Sequence, residues 1–174
     1  QVKKKTPVVL YTHGGGWKEG DKYKVFKEPF LSALKQILNQ GIACATIEYR
    51  LTRKEISTAI DCVVDCKDAA RFLMKNSEEF NFDVKRMGVW GGSAGGHLAL
   101  MTGLSSNDLF VGEPELKSYN PFFKCIVSFY PMVTFTRLEL NEGSGFSKPS
   151  RFIPMLGGLP KENMELARKL SPVE

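Results

Sequence analysis

The reading turns on residues 87–100, MGVWGGSAGGHLAL. Arg86–Gly91 is a short apolar run and reads as a strand, while Ala94 to about Leu104 reads as a helix. Between them, Gly91-Gly92-Ser93-Ala94-Gly95 matches G-x-S-x-G. Glycine and serine are common, so the match alone says little. Placed directly between a strand and a helix, it becomes a nucleophile elbow, a sharp turn that lifts a serine Oγ above the C-terminal edge of a sheet. Glycines two before and two after Ser93 remove the Cβ atoms that would collide in so tight a turn. The start of the following helix adds backbone N–H groups and a positive dipole end, both suited to a developing oxyanion. Other glycine-rich loops fit worse. No Gly-Lys-Ser/Thr follows, as a Walker A loop requires, and no start at Gly91, Gly92 or Gly95 completes G-x-G-x-x-G.

Upstream, TPVVLYTH (Thr6–His13) is a β-branched, apolar strand pattern that runs into His13-Gly14-Gly15-Gly16-Trp17. A serine attacking a carbonyl needs two or more N–H donors aimed at the carbonyl oxygen. The residue after the serine, Ala94, offers one, and a glycine loop after an earlier strand, whose backbone approaches the substrate closely, offers the others. Two motifs in this order, each at a strand's C-terminal end, are far more specific than either alone.

The rest of the chain supplies the frame. Phe26, Phe30, Ala33, Leu34, Ile37 and Leu38 recur at helical spacing, with Pro29 in the first turn and Gly41 placed as a C-cap. Ile42–Tyr49 reads as a strand, Thr58–Lys75 as a long amphipathic helix, Lys124–Tyr130 as a strand and Lys161–Leu170 as a short helix. Strands alternating with helical crossovers define the α/β class, a parallel sheet covered on both faces. We expect one domain over 1–174, with 132–158 as an insertion or lid-like segment; its Phe135, Phe146, Phe152 and Met155 either shape a substrate site or pack back on the sheet. Asp83 and Arg86 are expected to fix the turn before the elbow strand, and Trp90 to lie in the core.

Composition narrows the function classes. With 174 residues, 43% hydrophobic and 25% charged, the chain has the make-up of a soluble globular protein. Its net charge of +5 is scattered apart from Lys3–Lys5, which argues against a nucleic-acid partner. No stretch is long and apolar enough for a membrane span, and the compartment (bacterial cytoplasm, periplasm or exterior) is left open. Cys44 and Cys125 lie in apolar runs and are expected to be buried. Cys62 and Cys66 share the apolar face of one helix. No cluster of ligands suggests a metal, and no cofactor is expected.

HGGGW followed by WGGSAGGHLAL resembles the α/β-hydrolase esterases of the hormone-sensitive-lipase-like group, above all their bacterial carboxylesterase and feruloyl- or acetylxylan-esterase-like members. IEYRL, DCKDAARFL, NFDVKRMGVWGGSAGGHLA and LARKLSP extend the resemblance over nearly the whole chain. It implies a three-layer sandwich with a mostly parallel central sheet, Ser93 as nucleophile, and an oxyanion hole built from Gly15, Gly16 and Ala94. The substrate implied is a small-molecule or carbohydrate-linked ester. By its place beside the hole, Trp17 either lines an acyl or aryl pocket or packs in the core. Many lipase-like members carry Asp before the serine where this chain has Gly92, which points toward the carbohydrate-esterase-like branch. The HGG-x-W pattern is shared with kynurenine formamidases, so an amidase or formamidase of the same fold is an alternative.

The base is the missing part. The triad of this fold runs Ser, Asp or Glu, then His along the chain, yet the only two histidines are His13 and His97. His97 follows Ser93 by about one helical turn and is expected to pack or hydrogen-bond inside the elbow helix. His13 is expected to orient its loop. The expectation is therefore an N-terminal two-thirds of an esterase without its C-terminal strands, whose Asp and His come from a further segment or a second chain. A non-catalytic hydrolase-fold binding module is the third reading.

Overall fold

The computed structural model describes residues 4–138 and 148–174. Four parallel strands form one sheet in the order β2-β1-β3-β4, namely Ala43–Thr46, Thr6–Thr12, Phe82–Gly92 and Phe123–Phe129. Register places Leu10 beside Ala45 on one side and Val89 on the other, with Val89 beside Ile126. Helix α1 (Phe30–Asn39) connects β1 to β2, α2 (Ala59–Lys75) connects β2 to β3, and α3 (Ala94–Leu104) connects β3 to β4. The short α4 (Ile153–Leu156) and α5 (Met164–Lys169) follow.

The alternation of side chains along the strands sorts the layers. Val9, Tyr11, Cys44 and Trp90 face α1, where Phe30, Ala33, Leu34 and Ile37 cover them. Val8, Leu10, Met87 and Val89 face the other way, against Ala70 and Leu73 of α2 and Ala99 of α3. The result is the expected three-layer α/β arrangement. From β1 the chain winds outward to β2, then returns across β1 to β3. That reversal puts α1 on one face and α2 and α3 on the other, and leaves a crevice at the C-terminal ends of β1 and β3. Both sequence motifs emerge at this switch point.

Element boundaries follow from local polar bonds. Thr58 N–H donates to Asp61 Oδ2 at 2.8 Å and starts α2. Arg50 ties the loop after β2 to α2, its Nη2 lying 2.8 Å from Asp65 Oδ1 and its Nη1 3.0 Å from Asp61 Oδ1. On the far side of α2, Arg71 is fully buried and donates to the carbonyls of Asn107, Leu109 and Phe110. Lys67 Nζ donates to the carbonyls of Ser105 and Ser106, both at 2.8 Å, and burial pulls its ammonium down to about 8. These two cations hold the segment that leaves α3.

Several expectations shift. β2 ends at Thr46 rather than Tyr49, because the chain peels away there and Tyr49 turns to bond the end of β1. β3 begins at Phe82, earlier than Arg86: Phe82 pairs with Thr6, and Arg86 bridges Asp83 at 2.7 Å and the Lys5 carbonyl at 2.8 Å. Phe26 leaves the helical stripe; it sits exposed in a separate 3-10 turn, Lys22–Phe26. Cys125 is exposed rather than buried, since β4 is the last strand of the sheet among the described residues and its outer positions have no covering layer; Cys44 is half-buried, while Cys62 and Cys66 are buried as expected. Within 132–158, Phe135, Phe152 and Met155 are buried in one cluster with Trp17 and Leu98, whereas 139–147, Phe146 included, lie outside the described residues. No helix among the described residues is long and apolar enough to cross a membrane.

Candidate active site

Ser93 stands between β3 and α3 with φ 57° and ψ −122°, a conformation L-residues rarely adopt. Its N–H donates to the Phe129 carbonyl at 2.9 Å, and its own carbonyl accepts the His97 N–H at 3.0 Å, the first turn of α3. The flanking glycines are a steric necessity here. A Cβ on Gly91 would lie 2.4 Å from the Thr12 carbonyl oxygen, and one on Gly95 would lie 2.0 Å from the same atom. The end of β1 is pressed into the elbow, and Thr12 Oγ1 completes the joint by donating to the Gly95 carbonyl at 2.6 Å.

The glycine loop leaves β1 at that joint. Gly15 and Gly16 take φ +135° and +58°, which allow the chain to fold back so that the N–H groups of Lys18 and Glu19 both reach the Gly15 carbonyl. Gly14 lies against the elbow: a Cβ there would be 2.7 Å from the Gly92 carbonyl oxygen and 3.6 Å from Ser93 Cβ. Ser93, Gly14 and Gly15 thus line one cavity of about 290 Å³, together with Tyr11, Lys24 and Tyr130. Ala94 follows the serine with its methyl buried. Gly16 lies one residue beyond the cavity lining.

Neither histidine lines the cavity beside Ser93. His97 is wholly buried; its Nδ1 accepts from Trp17 Nε1 at 3.1 Å, so its Nε2 carries the proton and donates to the Leu170 carbonyl at 2.8 Å. Both ring nitrogens are used, and burial lowers its pKa to about 4. His13 Nδ1 donates to the Gly14 carbonyl at 3.0 Å, its ring stacks on Tyr49 at 4.1 Å, and burial again lowers its pKa. The cavity's one carboxylate, Glu28, accepts from the Ser32 hydroxyl at the start of α1. No cluster that could hold a metal occurs among the described residues.

Trp17 goes to the core rather than the cavity. At 2% exposure it packs edge-on against His97 and near Phe135, away from the residues lining the space beside Ser93. Three positioning groups escaped sequence reasoning. Thr12 locks the elbow, Tyr49 donates its hydroxyl to the His13 carbonyl at 2.7 Å, and Lys24 Nζ donates to the Gly14 carbonyl at 3.1 Å. Their partners lie far away in sequence or are backbone atoms, so only the Tyr in IEYRL carried any signal, as part of a familiar string.

A parallel, doubly covered sheet with a strained serine elbow at its switch point, faced by a glycine loop, defines the α/β-hydrolase fold. The BD-FAE family model matches residues 1–174, and the chain belongs to that family. Its relatives agree. It is 31% identical over 133 residues, 76% of this chain and 29% of the relative, to the probable carboxylic ester hydrolase LipM of Mycobacterium tuberculosis. It is 30% identical over 105 residues, 60% of this chain and 25% of the relative, to Esterase LipC of the same organism. Among solved structures, the thermophilic esterase Est2 of Thermogutta terrifontis superposes with a TM-score of 0.70 at 25% identity, covering 97% of this chain and 55% of that one. The chain therefore spans under a third of these curated relatives and about half of Est2.

Proposed function

We propose that the protein is a carboxylic ester hydrolase that works through an acyl-enzyme on Ser93. The observation that carries this reading is the strained backbone of Ser93, held beside Gly14 and Gly15 in one cavity. Strain at a site that surrounding contacts over-determine is expected of a nucleophile presented for attack. Ser93 Oγ attacks the ester carbonyl and gives its proton to a base. The N–H groups of Gly15, Gly16 and Ala94 stabilise the oxyanion. The alcohol leaves with the proton, and water then releases the acid and restores the serine. Because His97 has both ring nitrogens bonded and His13, whose Nδ1 holds the Gly14 carbonyl, does not line the cavity beside Ser93, the base in this reading is a third imidazole, held by an Asp or Glu, from outside these 174 residues. It comes from a further segment of the polypeptide or from a second chain. The substrates in this reading are short-chain or carbohydrate-linked acyl esters, and the space beside Ser93, about 290 Å³, lies at the small end of ligand sites.

The test uses the gene-encoded protein with a short-chain aryl ester and a fluorophosphonate probe. Turnover and covalent labelling are expected, both abolished by Ser93→Ala. Turnover that survives Ser93→Ala would refute the assignment.

A further inference from the structure

Behind the glycine loop, one carbonyl oxygen is gripped from three sides. Lys24 lies in the 3-10 turn Lys22–Phe26, which Asp21 starts by accepting the Tyr23 N–H at 2.8 Å. From there its ammonium donates to the Gly14 oxygen at 3.1 Å, while His13 Nδ1 donates to the same oxygen at 3.0 Å. Gly20, at φ +105°, closes the third side so tightly that a Cβ there would stand 2.7 Å from both that oxygen and His13 Nδ1. No carboxylate among the described residues forms an ion pair with Lys24. The charge of Lys24 is therefore applied to the carbonyl and to the cavity it lines.

The Gly14 carbonyl and the Gly15 N–H belong to a single planar peptide unit. Whatever fixes the oxygen fixes the direction of that N–H. A charge-assisted bond to the oxygen also draws electron density out of the amide, which makes the N–H a stronger donor. We propose that Lys24 is a positioning residue: its ammonium orients and polarises the Gly14–Gly15 peptide so that the Gly15 N–H stabilises the oxyanion formed at Ser93. This rests on the reading of Ser93 as nucleophile and Gly15 as donor. The division of labour is definite. His13 and Gly20 set the geometry from within the loop, and Lys24, from a separate turn, is the charged side chain that bonds this peptide among the described residues.

The experiment compares wild type, Lys24→Met, Lys24→Gln, Lys24→Arg and Ser93→Ala in the gene-encoded protein, reading kcat, KM and thermal unfolding with one aryl ester. Loss of a whole oxyanion donor costs roughly 10²–10³ in kcat, and weakening one donor is expected to cost about tenfold. Lys24→Met should lower kcat by about that factor, with KM within about twofold and unfolding near wild type. Lys24→Arg, which keeps a charged donor, should recover most of the loss. If Lys24→Met does not fold, Lys24→Gln takes its place with the same expected direction. An unchanged kcat in a folded loss variant, a change confined to KM, or an equal loss in Lys24→Arg overturns the role of Lys24 while leaving Ser93 in place. Wild-type turnover that Ser93→Ala does not abolish overturns the nucleophile reading, and the role of Lys24 with it.

Discussion

Acidification should unlatch the glycine loop from the elbow helix through His97. The neutral ring links three parts of the molecule: Nδ1 accepts from Trp17 at the end of the loop, the ring itself belongs to α3, and Nε2 donates to the Leu170 carbonyl. A proton on Nδ1 removes the acceptor that Trp17 needs and places a charge in a fully buried site. Burial lowers the folded pKa from 6.5 to about 4, so the unfolded chain takes up the proton first as pH falls. The contribution is therefore fully present above pH 6.5 and disappears as pH drops toward 4. The gap is worth about 3 kcal/mol in total, at roughly 1.4 kcal/mol per pH unit, and most of it is lost between pH 7 and 4.5. Urea unfolding of the gene-encoded protein and of His97→Asn at both pH values isolates the effect, because other titrating groups are common to the two. Wild type should lose roughly 2–3 kcal/mol more than the variant across that window. Equal losses would refute the reasoning. The same variant also separates a structural histidine from a base. With the ring committed at both nitrogens, His97→Asn should keep kcat at pH 7 within about fivefold. A fall of about a thousandfold or more in a folded variant would make His97 part of the triad.

Further consequences can be checked one substitution at a time. Gly95→Ala would drive a methyl to 2.0 Å from the Thr12 carbonyl oxygen, parting β1 from the elbow, so a loss of a few kcal/mol and of fluorophosphonate labelling is expected; wild-type labelling would show that the elbow tolerates the shift. Gly16→Ala meets no atom within 4 Å and violates only a positive φ, so calorimetry should register about 1–2 kcal/mol, with labelling retained. Tyr49→Phe strips the buried His13 carbonyl of its donor and should cost about 1–3 kcal/mol in urea unfolding, a value near zero counting against the bond. Arg71→Met leaves the carbonyls of Asn107, Leu109 and Phe110 without their shared donor and should lower stability by about 3 kcal/mol or more, while KM for an aryl ester stays within about twofold because none of these groups lines the cavity.

Which parts of this molecule could be read from its sequence depends on how far apart the interacting groups lie along the chain. The elbow was legible because a strand that turns into a helix over one residue imposes its steric demands locally: Gly91 and Gly95 flank Ser93 at the positions where a Cβ would strike Thr12. The same holds for α3, whose helical run begins at Ala94 directly after the turn and closes at Leu104 as expected. The sheet's outer limit was not legible. Cys125 sits in an apolar run that looks buried, and only the strand order places it on the sheet's last strand among the described residues, where its side chain is exposed. Nor were the groups that grip the glycine loop. Tyr49 reaches back 36 residues to a carbonyl, and a backbone acceptor leaves no mark on composition. Trp17 shows the limit most clearly. An aromatic residue beside a reactive loop fits a pocket wall and a core equally well by chemistry. What decides is a bond to His97, 80 residues away, which in turn requires Leu170 in place behind it. That chain of contacts also separates the two histidines near the motifs: His97 is held at both ring nitrogens, by Trp17 and Leu170, while the His13 Nδ1 holds the Gly14 carbonyl beside the elbow.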